Sequence, residues 1–410
     1  MSDKVLKYFR GDRYIWWIII SLSIVSLLAV FSATGTLAYK VKGGNVFYYL
    51  AKHGGMLLAG LGITYMVHQI NYKIYLRLAN LFLIITIPLL LFTLITGTNL
   101  NDASRWIRIP IIGFTFQTSD LAKFSLIIFV ARYLSQNQDK IRYFKQGLQK
   151  ILIIIGIVCL LIFPANFSTS ALLFFNSTIL LIFGRARIWH IIAVYLTAVT
   201  LFILLIVLSP HISFLGRLQT WKNRIENYMG SNNSKKSKEK IDDDAFQVTQ
   251  AKIAIATGGI IGRGPGNSIQ RNSLPHPYSD FIFAIIIEEY GIFGGLILIF
   301  IYLSLLYRAY LIVINTKSQF AAFLAIGLTF NLVFQALINM GVAVNILPVT
   351  GQTLPLVSMG GSSILFTSAT FGIILNVSRS SIKNKKEINE SDNKSEDKNI
   401  EENKKLTEIN

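Results

Sequence analysis

RNSLPHPYSDFIFAIIIEEYG, residues 271 to 291, decides how the chain is read. A polar approach containing Pro275, His276 and Pro277 leads to a lone carboxylate, Asp280, at the mouth of a long apolar run, and Glu288 and Glu289 lie inside that run. Charged side chains in an apolar span are costly unless they face a partner or a wet cavity, so the segment marks a candidate functional site. Ser279-Asp280 has the pattern of a helix N-cap. The same carboxylate against an apolar wall suits a general base at the water–membrane boundary. At 1.5 Å per helical residue, Glu288 and Glu289 fall roughly 12 Å beyond Asp280 and deeper in the span, too far to pair with it. Their structural reading is a buried counter-ion for a cation, with Lys123 the evident partner; their functional reading is a place inside the site.

The rest of the chain supplies the membrane. Of 410 residues, 52% are hydrophobic and 15% charged, and the mean hydropathy is +0.52, outside the soluble globular range. Apolar runs near 14–34, 46–68, 75–96, 119–135, 150–164, 168–184, 188–208, 281–307, 320–345 and 357–378 predict ten spans for a bilayer core of about 30 Å. The fold class is therefore an all-α polytopic membrane protein, with ten transmembrane helices and one large extracytoplasmic loop. With both termini inside, Lys and Arg gather in the inner loops, and the short outer loops hold only Lys40, Lys42, Arg105 and Arg108. That asymmetry obeys the positive-inside rule only if residues 151–184 cross twice. The first span follows Lys4, Lys7, Arg10 and Arg13 and reads as an uncleaved anchor. The net charge of +18 belongs to loops and orientation, with no basic, aromatic-interleaved soluble domain, which excludes nucleic acid as a partner.

Outward from these limits the organisation is a cytoplasmic N-terminus (1–13), helices 1–7 (14–208), a large outer loop (209–280), helices 8–10 (281–378) and a disordered cytoplasmic tail (379–410). Within the loop, residues 231–244 are charge-dense and read as a mobile insert. Residues 246–260 read as a short amphipathic helix on the membrane, ending in a glycine-rich turn at Gly262, Gly264 and Gly266. Arg263 in that turn either decorates a positive-φ loop or meets a lipid phosphate. Arg105 and Trp106 lie in an outer loop that mixes charge with apolar side chains, as an interfacial anchor or an arginine for pyrophosphate. Asn331, Gln335 and Asn339 share one face of the ninth span, which interhelical hydrogen bonding explains without a ligand. Residues 346–363, which include Ser358, are uncharged and rich in helix breakers. They read as a re-entrant loop lining a cavity, since irregular backbone at membrane depth must be covered by protein or water. Cys159 is alone, so no internal disulfide forms, and it reads as a buried hydrophobe. His53, His68, His190, His211 and His276 lack metal spacing. Asp242, Asp243 and Asp244 sit in the insert and read as a solvated run.

Several stretches together are similar to one family: ASRWI (103–107), FQTSDLAK (116–123), IAIATGGIIGRGPGNSIQ (253–270), YSDFIFAIIIEEYG (278–291) and LPVTGQTLPLVSMGGSS (347–363). In this order they resemble the SEDS family (FtsW and RodA), membrane glycosyltransferases that polymerise peptidoglycan from lipid II, over nearly the whole chain to about Ser378. The wording is closer to the division branch, FtsW, than to the elongation branch, RodA. The resemblance implies that Asp280 is the catalytic carboxylate and that Arg105, Lys123, Glu288, Glu289, Arg263 and Ser358 contribute to the substrate-binding cavity. It implies transfer of a glycan strand from its polyprenyl pyrophosphate to the C4 hydroxyl of lipid II, releasing undecaprenyl pyrophosphate. The implied setting is the outer face of the bacterial cytoplasmic membrane at the division septum, and the implied partners are a class B penicillin-binding transpeptidase, other divisome proteins and membrane lipids. No cofactor is required by the pattern, although a divalent cation is compatible with pyrophosphate chemistry. The chain departs from the family at Asn166-Phe167-Ser168-Thr169, where relatives read Pro-Asp-Leu-Gly-Thr. A lipid II flippase, or a scaffold for the transpeptidase, are the alternatives from other functional classes.

Overall fold

The computed structural model describes residues 11–42, 45–96, 98–100, 103–109, 114–208, 243–275 and 277–382. Helices follow the apolar runs: α1 (Arg13–Ala33), short α2 (Gly35–Lys42), α3 (Val46–Gln69), α4 (Tyr72–Thr96), α5 (Thr118–Ile141), α6 (Gln149–Ile162), α7 (Phe167–Phe183), α8 (Ile188–Leu208), α9 (Asp243–Gly258), α10 (Ile282–Ile314), α11 (Gln319–Ala343) and α12 (Gly361–Ile382). By length and composition, six of the described helices are able to cross a membrane: Arg13–Ala33, Tyr72–Ile95, Phe144–Ile162, Ile282–Ile314, Gln319–Ala343 and Gly361–Ile382. Residues 151–184 form two helices, α6 and α7, packed on each other across the turn that ends at Asn166. Asn166 caps α7 by accepting from the Thr169 amide at 3.2 Å, a role that an aspartate fills equally well. The insert up to residue 242, the loop from 209 before it, the first ten residues, His276 and the tail from 383 lie outside the described residues. Asp243 and Asp244, read above as part of the insert, open α9.

Two expectations need correction. The chain is not wholly helical: β1 (Thr98–Leu100), β2 (Ala103–Ile109) and β3 (Phe114–Gln117) form an antiparallel three-stranded sheet between α4 and α5. Trp106 of β2 pairs with Thr98 on one side and Gln117 on the other. The second correction concerns α10, which breaks at Gly291 with φ 69° and ψ −173°, a backbone region open essentially to glycine alone. A Cβ built on Gly295 would lie 3.0 Å from the Ile287 side chain and 3.4 Å from Phe283. In a straight helix Phe283 and Gly295 stand roughly 18 Å apart at 1.5 Å per residue. The arms 282–290 and 292–314 therefore fold back on each other, with Gly294 and Gly295 allowing the close approach.

The break leaves backbone groups without helical partners, and the glycine-rich turn after α9 supplies them. The amides of Arg263 and Gly264 donate to the carbonyls of Glu288 (3.0 Å) and Glu289 (2.9 Å), and the amide of Ile292 donates to Gly259 at 3.0 Å. The turn has positive φ at Gly259, Gly262, Gly264 and Gly266. At Gly262 a side chain would overlap the Glu289 carbonyl, which makes glycine obligatory there. Among the described side chains of α9, Ala251, Ala254 and Gly258 are buried, and α9 packs on α10, so it is a bracket against protein.

Internal contacts fix two ends. At one, the Asp12 amide donates to Ser378 at 2.9 Å, Arg308 Nε donates to Asp12 at 2.8 Å, and the Arg308 guanidinium lies 4.4 Å over the Tyr14 ring. The start of α1 and the ends of α10 and α12 thus meet. At the other, Ser32 near the end of α1 donates to Glu289, and Arg271 donates to Ser32. Between the ends, α11 packs against α5, α7 and α10, and α3 presses Gly60 and Val67 against Ser368 and Gly372 of α12. Such close contact and buried hydrogen bonds, rather than an apolar driving force, hold helices together in lipid.

Candidate active site

The loop between α11 and α12, residues 344–360, is the platform of the site. Asn345, Gly351 and Leu356 have positive φ, and Val349, Gln352, Leu354, Leu356, Val357 and Ser358 are buried. An irregular buried backbone must find partners from elsewhere. Gln335 of α11 donates to the Thr353 carbonyl at 2.9 Å. Asn339, one turn further along, donates to the Gln352 carbonyl at 2.7 Å and to the Asp280 carbonyl at 2.8 Å. Gln352 in turn donates to the Thr169 hydroxyl at 2.8 Å, and Tyr302 donates to Pro355 at 2.6 Å. Gln335 and Asn339 on the polar face of α11 thus serve the loop, and Gln335 also accepts from Lys123 of α5.

Asp280 stands on the turn that this loop grips. Its neighbours are fixed by Ser358, which donates to the Ser279 carbonyl at 2.6 Å, and by the Met359 amide, which donates to Tyr278 at 2.9 Å. The helix begins at Ile282 with Phe281 in the cap position and no side-chain cap bond. Asp280 is thus not the N-cap that its spacing predicts. Its carboxylate is half-buried, accepts from the Ser279 hydroxyl and faces Gly351, where a Cβ would stand 3.6 Å from Oδ2. Tyr278, in the turn before α10, is pushed up in pKa mainly by burial, with Tyr49 and Asp280 adding to the effect.

The fold-back of α10 reverses the expected depths. Ser26, six residues or roughly 9 Å before Ser32 along α1, donates to the Val357 carbonyl at 2.9 Å. Tyr302, eleven residues or roughly 16 Å beyond Gly291, reaches Pro355. The loop and the Tyr278–Asp280 turn bonded to it are therefore recessed below the level of Glu289 and Ser32. The arm 282–290 climbs back, so Glu288 and Glu289 are nearer the helix ends than Asp280 is.

Lys123 also departs from its expected partner. It forms a buried pair with Asp120 at 2.9 Å, one helical turn away, and donates to Gln335 at 3.2 Å. Asp120 further accepts from Ser362 at 3.5 Å. A cavity of about 20 Å³ adjoins this pair, lined by Asn331, Gln335, Ser363 and Thr367 together with Phe124, Leu332 and Phe366, large enough for a water molecule. Through Gln335 and Thr353 on one side and Asn339 and Gln352 on the other, Lys123 and Asp280 are linked across three consecutive loop residues, Gly351 to Thr353. Arg105 lies in β2 beside Trp106, whose partner Gln117 adjoins the start of α5, and the Gln117 amide donates to Ser362 at 3.3 Å. The sheet thus brings the Arg105 position toward the Asp120–Lys123 end of α5.

Of the remaining predicted residues, Ser358 joins this cluster, and Glu288, Glu289 and Arg263 stand apart from it. Glu288 is fully buried, accepting from the Ser268 hydroxyl, the Ile269 amide (3.0 Å) and the Gln270 amide (3.3 Å). Glu289 accepts from Ser32 and from the Ser268 amide. These carboxylates pin the 268–271 loop and the end of α1, and neither meets Lys123. Ser358 is buried and ties its loop to the Asp280 turn, donating to the Ser279 carbonyl while accepting from the Leu354 amide at 2.8 Å. Arg263 is exposed, its backbone clasping α10. Asp120 is the residue that spacing could have identified, since a carboxylate and a lysine at i and i+3 share a helix face. Among the described residues no group of three His, Cys, Asp or Glu is arranged to hold a metal ion.

A family model of cell cycle proteins, that of FtsW, RodA and SpoVE, matches residues 12–383. The chain is 33% identical over 375 residues to the probable peptidoglycan glycosyltransferase FtsW of Haemophilus influenzae, covering 89% of this chain and 90% of that protein. It is 31% identical over 387 residues to the protein of the same description from Idiomarina loihiensis, covering 92% and 90%. Stage V sporulation protein E of Bacillus subtilis is 30% identical over 379 residues, covering 91% and 98%. Among solved structures, a chain of a peptidoglycan synthase complex superposes with a TM-score of 0.69 at 22% identity, covering 90% of this chain and 98% of that one. The rod shape determining protein RodA of Thermus thermophilus superposes with a TM-score of 0.64 at 20% identity, covering 91% and 98%. At such identities the superpositions speak to fold.

Proposed function

The chain belongs to the cell cycle protein family of FtsW, RodA and SpoVE, and from that membership we propose that it is a peptidoglycan glycosyltransferase that polymerises lipid II on the outer face of the cytoplasmic membrane during division. Asp280 acts as general base. It takes the proton from the C4 hydroxyl of lipid II as that oxygen attacks the anomeric carbon of the growing strand. The bond from that carbon to the pyrophosphate oxygen breaks, and undecaprenyl pyrophosphate leaves with the electron pair. A positioned base of this kind contributes roughly 100- to 10,000-fold. Lys123 and Arg105 supply positive charge to the leaving pyrophosphate, electrostatic help that is strongest where water is excluded. Asp120 and Gln335 accept two of the three donors of Lys123 and leave one for a substrate oxygen.

The observation that carries this reading is the Asp280 carboxylate: half-buried, recessed between helices, not used as a helix cap and, among the described residues, hydrogen-bonded only to its neighbour's hydroxyl. A recessed carboxylate that a lipid-linked sugar could reach from the side or from outside fits an acceptor carried on a polyprenyl chain. Ten spans with both termini inside, a class B penicillin-binding transpeptidase as partner and a septal position complete the proposal; the FtsW description of the relatives supports the division role. Purified with such a transpeptidase, the protein should convert labelled lipid II into glycan polymer. Lipid II that remained monomeric under those conditions would overturn the reading, and its transfer across liposomes without polymer would favour a flippase.

A further inference from the structure

Asn339 reaches from α11 to hold both the Asp280 turn and the loop opposite it. Its amide group donates to the Asp280 carbonyl at 2.8 Å and the Gln352 carbonyl at 2.7 Å. The residue is 1% exposed, and Ser318 caps the start of the helix that carries it, so the amide projects from a fixed element. Gly351, the loop residue before Gln352, is the one that faces the Asp280 carboxylate. One amide group therefore sets the distance between the carboxylate and the backbone wall against which it stands. The Asn339 Oδ1 atom and the neighbouring Thr350 hydroxyl are buried without a hydrogen-bond partner.

We infer that Asn339 is the positioning residue for Asp280, fixing the carboxylate at the height and orientation from which it can meet the acceptor hydroxyl. The inference rests on Asp280 being the base. Both hydrogen bonds of the Asn339 amide group go to backbone carbonyls, so it acts through the Asp280 turn. A displacement of the carboxylate by even about 1 Å lowers turnover on the order of 100-fold, while the lipid-binding surfaces remain in place.

Two measurements on Asn339→Ala, and on the milder Asn339→Ser should the alanine variant not fold, test this. The first is polymerisation kinetics with lipid II: kcat falls at least about tenfold while KM stays within about twofold. The second does not depend on activity. In a Cys159→Ala, Asp280→Cys background, the alkylation rate of Cys at position 280 by a small maleimide changes several-fold when the Asn339 substitution is added. Unchanged kcat, or an unchanged alkylation rate, overturns the positioning role. An Asp280→Asn protein with full activity would instead remove the reading on which the role depends, whatever Asn339 does.

Discussion

At the scale of single residues, the contrast between Lys123 and Asp280 separates structure from chemistry. Lys123 and Asp120 form a buried pair, and removing one partner of such a pair costs about 3–5 kcal/mol because the other charge is left uncompensated. Lys123→Met should therefore lower the thermal midpoint in detergent, and adding Asp120→Asn should restore much of the loss, since no unpaired charge then remains. Polymerisation should stay low in both, because the cation facing the pyrophosphate is absent from both. Recovery of activity along with stability in the double variant would make the pair purely structural. The sequence displayed these residues without their pairing: Lys123 looks like the natural partner of two buried glutamates until the structure shows those glutamates taken up by Ser268, Ile269, Gln270 and Ser32. The Ser32–Glu289 contact spans 257 residues and follows from packing that no local pattern encodes, whereas Asp120 stood one helical turn from Lys123.

At the scale of elements, α10 holds the main lesson. Its 33 residues would make a straight rod of roughly 50 Å, far longer than an apolar core of about 30 Å. That mismatch, with Gly291, Gly294 and Gly295 next to paired glutamates, was the available sign of a fold-back. Glycine within an apolar helix is common enough in membrane proteins to hide it. The sheet at 98–117 escaped for a related reason, because its short strands lie between two long apolar helices and mix Arg105, Trp106, Ile107 and Arg108 without a clean alternation. In contrast, the paired helices α6 and α7 were legible from loop charge alone. Gly291→Ala places a side chain at φ 69°, ψ −173° against the backbone of Ile260 and Ile261. The backbone strain alone costs about 1–3 kcal/mol, so the variant should lose several degrees in thermal midpoint and release the clasp made by the glycine-rich turn. Protection of the Arg263 and Gly264 amides in hydrogen exchange reads that release; unchanged protection would show that the break does not depend on glycine.

At the scale of the molecule, Asp12, Arg308 and Ser378 meet at one end, and Ser32, Arg271 and Glu289 meet at the other. In intact cells carrying Cys159→Ala, Cys introduced at Asn267 should react with an impermeant maleimide added outside, while Cys introduced at Lys317 should react only after the membrane is opened. The reverse pattern would invert the topology and put Asp280 on the wrong side for lipid II. Given that topology, the account comes down to one carboxylate. The most direct test compares wild-type protein with Asp280→Asn, each purified with its transpeptidase and shown to be equally folded, on labelled lipid II. Glycan polymer from the wild type and at least roughly 100-fold less from the variant is the predicted result, whereas polymer at the wild-type rate from Asp280→Asn would contradict it.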